Sequence, residues 1–160
     1  MSRGLDTWYS WPDLERLARL GRTIEGEIEL GRLTRLVELL SSPEGTVNAT
    51  LSFGAGSDGR LELRLTVNAT VELVCQRCLE PFRLTLTGEA SYLLAEDEVP
   101  DAVVRMSDEN MELLVLGEDR LNPSRLIEDE LLLSLPLVPR HDSVEACGHL
   151  AEGLAGPDEV

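Results

Sequence analysis

Between Leu61 and Cys75 every odd-numbered position is apolar: Leu61, Leu63, Leu65, Val67, Ala69, Val71, Leu73 and Cys75. Polar residues fill nearly all the positions between them. A period of two belongs to a strand with one buried face, and no helix can satisfy it. The run exceeds the usual strand of about 5–6 residues, so a bend or bulge midway is expected. After a turn from Cys75 to Pro81, Phe82, Leu84 and Leu86 take the even positions, and Ala90, Tyr92 and Leu94 continue past Gly88. The two runs make a long antiparallel hairpin with one oily face, which requires a cover.

The best cover is a helix at 123–135. Asn122 is a good N-cap and Pro123 suits a first helical position. Leu126, Ile127, Leu131 and Leu135 face one way, and Glu128, Asp129 and Glu130 take much of the other side. Leu131-Leu132-Leu133 makes the last turns apolar nearly all round, so that end is expected to be buried. Pro136 stops the helix, and Leu137-Val138-Pro139 runs on extended. Upstream, Ile24, Gly26, Ile28 and Leu30 alternate with Glu25, Glu27 and Glu29, a strand with an acidic outer face. Val47, Ala49, Leu51 and Phe53 mark another strand. Pro12 opens a short helix in the 1–22 lead-in, with Trp8 and Trp11 covering a core edge. Leu33, Leu36, Val37, Leu39 and Leu40 fit a short helix or an irregular apolar segment. Residues 96–110 form an exposed acidic loop, and Met111–Leu116 returns as a short strand. The expected class is α+β: a largely antiparallel sheet, open or partly closed, with one main C-terminal helix packed on it. Residues 1–149 make one domain, and 150–160 a disordered acidic tail.

Thirty acidic residues face fourteen basic ones, for a formal charge of −16. Backbone binding to nucleic acid rests on Lys and Arg displacing counterions, so a broad phosphate-binding surface is not expected. A field of this sign keeps a protein soluble and draws in basic partners. No segment approaches the roughly 20 apolar residues of a membrane span, and the first residues lack a signal peptide's apolar core. A cytoplasmic protein with no membrane contact is expected.

Chemistry concentrates on three cysteines. Cys75-Gln76-Arg77-Cys78 is a C-x-x-C at the hairpin tip, and Cys147 lies far downstream between the only two histidines, His141 and His149. Three readings stand. Zinc takes four thiolate or imidazole ligands, which Cys75, Cys78, Cys147 and either His141 or His149 would supply. Thiol redox chemistry is the second, but an active C-x-x-C sits at a helix N-terminus, whereas here a strand leads into Cys75. Buried reduced thiols are the third, since Cys75 falls in phase with the oily face. Other catalytic signatures are missing: no phosphate loop, no G-x-S-x-G, no H-E-x-x-H. Glu128-Asp129-Glu130 suits a solvated helix surface better than a cation site. An identical pentapeptide, Thr-Val-Asn-Ala-Thr, occurs at 46–50 and 66–70. Its flanks agree only in alternation, so two strands of similar composition explain it better than a duplication.

Two segments carry a family resemblance. Cys75-Gln76-Arg77-Cys78-Leu79-Glu80-Pro81-Phe82 resembles the C-Q-R-C-x-x-P-F signature of YceD-type proteins. Leu126-Ile127-Glu128-Asp129-Glu130-Leu131-Leu132-Leu133-Ser134-Leu135-Pro136-Leu137-Val138-Pro139-Arg140-His141-Asp142 resembles their E-[DE]-E-[LI]-[LI]-L-x-L-P-x-V-P-x-H motif, and Cys147 also fits. The resemblance implies a cytoplasmic protein required for 23S ribosomal RNA to accumulate, whose family is commonly encoded beside the basic ribosomal protein L32. It marks Gln76, Arg77, Pro81, Phe82, Glu128, Asp129, Glu130, Pro136 and Pro139 as motif or partner-binding residues. The expected function is a ribosome-biogenesis accessory factor. It would be a non-catalytic binding module for a basic large-subunit ribosomal protein, L32 being the candidate, or for a pre-ribosomal particle. The alternatives are a C-x-x-C-dependent metal or thiol enzyme of rRNA processing, and direct RNA binding at the hairpin tip through Arg77 and Arg83.

Overall fold

A computed structural model describes residues 4–56, 59–97, 111–141 and 147. His149, the tail from 150 and most of the acidic loop lie outside these residues; of that loop Glu96 and Asp97 are described, both exposed. The sheet orders its strands as they occur in sequence: β1 (Thr23–Glu29), β2 (Thr46–Ala55), β3 (Leu61–Val74), β4 (Pro81–Ala95) and β5 (Met111–Val115). The first four pair antiparallel; β5 joins β4 in parallel, which is why a long connection separates them. The sheet is open, so the partly closed alternative is corrected.

The alternation in sequence becomes pairing in space. Leu73 lies opposite Phe82, Val71 opposite Leu84, Ala69 opposite Leu86, and Leu63 opposite Tyr92. The register runs unbroken from Leu61↔Leu94 to Val74↔Pro81, so the expected bulge is absent from this hairpin. Neighbouring strands on both sides explain the unusual length: β2 supports one half of β3 and β4 runs beside all of it.

Two helices cover the oily face: α1 (Trp11–Arg19) and, after the one-turn α2 (Thr34–Val37), α3 (Pro123–Ser134). Leu14 and Ala18 of α1 and Leu126, Ile127 and Leu131 of α3 join Val47, Leu51, Phe53, Leu63 and Leu65 in one core. With each large side chain buried there contributing about 1.5–3 kcal/mol, this two-layer interior holds the fold. α1 begins one residue before Pro12, because Ser10 caps it reciprocally with Asp13: Ser10 N donates to Asp13 Oδ2 at 3.0 Å, and Asp13 N to Ser10 Oγ at 3.4 Å. Trp11 packs against the core, but Trp8 is half exposed and stacks under Arg125 at 5.2 Å.

Gly88 shows how closely α3 lies on the sheet. A Cβ there would stand 2.7 Å from Glu130 Oε2 and 3.1 Å from Ser134 Oγ. The apolar end of α3 is not buried all round, contrary to expectation. Leu131 is enclosed, yet Leu133 is 77% exposed, because only one side of α3 meets the sheet. The opposite face of the sheet carries no helix among the described residues.

Candidate metal centre

The β3–β4 connection is a tight knuckle. Cys75 N donates to Glu80 O at 2.9 Å and Leu79 N to Cys75 O at 2.7 Å. Closing the turn in so few residues puts Leu79 in the left-handed region, at φ 63°, a conformation costing a side-chain-bearing residue about 1–2 kcal/mol. The strain places Cys75 and Cys78 on the same inner side of the turn, both buried.

Beyond α3, Leu135 is extended and the chain crosses to this knuckle. Gln76 N donates to Pro139 O at 2.8 Å, and His141 N to Cys75 Sγ at 3.5 Å. The imidazole of His141 rests against Phe82, ring centres 4.9 Å apart. These contacts give several motif residues their local purpose. Gln76 ties down the crossing segment through its backbone, Pro136 ends the helix, Pro139 supplies the carbonyl, and Phe82 backs the ring. Pro81 opens β4, where strand pairing tolerates a proline.

Cys75, Cys78, His141 and Cys147 converge, their potential ligand atoms all within 4.8 Å of one another. Cys75 Sγ and Cys147 Sγ are 3.8 Å apart; His141 Nδ1 is 3.6 Å from Cys78 Sγ and 3.5 Å from Cys147 Sγ. A disulfide would need about 2.05 Å. A tetrahedral ion of zinc's size, about 2.3 Å from sulfur and 2.0–2.1 Å from nitrogen, separates its ligands by about 3.8 Å for S–S and 3.6 Å for S–N. The group is therefore close enough to hold a metal ion, and His141 is the histidine that the described residues place beside the three thiols. His149 lies outside the described residues.

The electrostatics agree. Burial pushes the Cys75 thiol up, but backbone N–H donors at Cys78, His141 and Arg77, with the His141 side chain, outweigh it and bring it down to about 6. Arg77 N, for instance, lies 3.4 Å from Cys75 Sγ. Burial and the adjacent Cys78 and Cys75 sulfurs push Cys147 up to about 11. Cys75 and Cys147 are thus pushed in opposite directions, as like charges this close require.

The acidic triplet behaves otherwise, and the expectation of a solvated face is corrected for Glu128. That residue is buried, and its Oε2 accepts from the backbone N–H groups of Arg35 at 2.7 Å and Leu36 at 3.0 Å. Arg35 Nε adds a bond to Oε1 at 3.1 Å. The capping position of α2 is Leu33, which has no side-chain acceptor, so a carboxylate from α3 caps the turn instead. Exposed Asp129 pairs with Arg35 Nη2 at 2.8 Å. Glu130 is half-buried against Gly88, and burial, then Glu112, raises its pKa. Arg35 escaped the sequence reading because nothing local links it to residues so far along the chain. Beside the centre an apolar groove of about 340 Å³ runs between Leu39, Leu73, Leu135, Pro136 and Pro139.

The family model described as "Large ribosomal RNA subunit accumulation protein YceD" matches residues 63–159. The chain belongs to the YceD family. A relative from Haemophilus influenzae, bearing that same name, is 33% identical over 123 residues, covering 74% of this chain and 67% of the relative. No solved structure shows a significant match. The YceD match spans nearly all of β3, then β4, β5, α3 and the entire Cys/His cluster, so both motifs identified in the sequence fall inside it.

Proposed function

We propose that this YceD-family chain supports accumulation of large-subunit ribosomal RNA as a non-catalytic binding module. Its partner would be a basic ribosomal protein, L32 being the candidate, or an assembly intermediate, and the work would be done in the cytoplasm. No helix among the described residues is long and apolar enough to cross a membrane. The Cys/His cluster would hold a structural zinc ion clamping the segment after α3 to the hairpin tip.

The observation carrying this reading is the donor set. Three thiols and one imidazole would fill the four positions of a tetrahedral ion, the composition of structural zinc sites; catalytic sites keep a position for water or substrate. The low pKa of Cys75 by itself suits thiol chemistry, but Cys75 is fully buried and out of reach of a substrate. The charge of −16 favours a basic protein over bare RNA.

Two measurements test it. Elemental analysis of protein purified without chelator should give one zinc per chain. Affinity capture from lysate, with a nuclease-treated arm, should recover a basic large-subunit protein that survives nuclease. Recovery of rRNA alone, lost on nuclease treatment, would count against the binding-module reading.

A further inference from the structure

The two Thr-Val-Asn-Ala-Thr copies lie in β2 and β3 and pair with each other: Asn48 stands opposite Asn68, and Thr50 opposite Thr66. The pairing relates the copies by a local two-fold axis. The facing rows extend across four strands, as Glu25–Thr50–Thr66–Glu89 and Glu27–Asn48–Asn68–Thr87. All of these side chains point away from the helices. The surface is hollowed here into an open trough of about 750 Å³, running across the strands.

Folding gives no reason for this composition. Asparagine is depleted in strands, yet it stands within β2 and β3, two of the three interior strands, at facing positions. Both residues are exposed, and neither amide has a hydrogen-bond partner among the described residues. Positions that break a local rule without a structural return are candidates for function. Every charged side chain in the two rows is a carboxylate: Glu25 and Glu27 on one rim, Glu89 on the other.

We propose that this trough docks an extended, Arg- or Lys-rich segment of a partner protein. A carboxamide offers a donor and an acceptor side by side, matching a peptide group, so Asn48 and Asn68 are suited to grip a backbone lying across them. Three inter-strand spacings separate the rims, about 14 Å, which an extended chain covers in roughly four residues. The segment therefore carries basic residues about four apart, one for each rim. Phosphate is repelled by the same carboxylates. The proposal rests on the binding-module reading for its physiological partner, and it gives that reading a surface separate from the metal clamp.

The test uses the purified 160-residue chain and a labelled Gly/Ser peptide with two arginines four apart, followed by fluorescence anisotropy at low salt. Saturable binding is expected, and none for the same peptide with glutamates. Glu27→Lys and Glu89→Lys should each weaken binding about tenfold, whereas Glu15→Lys, the same charge change on exposed α1, should alter it less than about twofold. Asn48→Ala with Asn68→Ala should weaken binding several-fold without lowering the melting temperature, which separates recognition from folding. Equal weakening by Glu15→Lys and Glu27→Lys would reduce the effect to the diffuse field and overturn the proposal. Tighter binding of a single-stranded RNA oligonucleotide in the trough would overturn it too. No ribosomal component enters the assay. Failure here, with a ribosomal protein still captured from lysate, would remove the trough and leave the functional reading intact; peptide binding with no such capture would do the reverse.

Discussion

Two buried polar constellations, each containing motif residues, differ in what meets their polar groups. Around Glu128 the account closes within the protein. Its carboxylate receives the two backbone N–H groups of α2 and the Arg35 guanidinium, so the burial cost is met by charge-assisted bonds. Around Cys75, Cys78, His141 and Cys147 the potential ligand atoms lie within 4.8 Å of one another, close enough to hold a metal ion. Their side-chain contacts are largely with one another, Cys75 with Cys147 and His141 with Cys78 and Cys147. Membership of a motif therefore does not reveal a residue's role. One constellation is closed by hydrogen bonds within the fold, and the other has a spacing that suits a metal ion.

The sharpest separation comes from a chelator. Removing zinc from the Cys/His centre should cost about 3–4 kcal/mol, the linkage expected when free metal stands several hundredfold above its dissociation constant. A thermal melt with and without chelator reads this directly, and Cys147→Ser should abolish the difference. An unchanged melt would return the cluster to the class of buried reduced thiols.

Glu128→Ala should follow, at about 2–4 kcal/mol, because it orphans two N–H groups at the start of α2. Denaturant melts should show the same loss with or without chelator. Since the two constellations share no partner, the double variant with Cys147→Ser should be additive within about 0.5 kcal/mol. Strong coupling would mean that α3 transmits strain between them.

Arg35→Gln should have a smaller effect, since the guanidinium is half exposed and the backbone donors to Glu128 remain. Its loss should shrink as salt rises, which the cap itself should not do.

Leu79→Gly is the mildest test and has the opposite sign. At φ 63° a glycine relieves backbone strain, so stability should rise by up to about 1 kcal/mol in the metal-bound protein. Leu79 is 70% exposed. Weaker partner capture by this stabler variant would identify the hairpin tip as a contact; unchanged capture would leave Leu79 only a conformational role.

Much of the fold was legible because strand pairing follows a strict period. The odd positions of β3 and the even positions of β4 announced a shared face, and the Asn122-Pro123 start announced α3. The bulge expected in β3 failed because strand length was judged in isolation, without the neighbours that support it. Leu133 was misjudged because helical apolarity tells how much surface can be buried, not which side finds a partner. Glu128 looked solvated for the related reason that its helix was considered without α2.

The amino-acid order alone determined the two-layer α+β class, the long hairpin, the C-x-x-C at its tip and the family motifs, since these depend on local periodicity and turn chemistry. Only the tertiary structure decided that His141 joins the three thiols, that Glu128 caps a distant turn, and that the two pentapeptides face each other across β2 and β3. Those outcomes depend on which distant backbones meet and in what register, and no local preference encodes that.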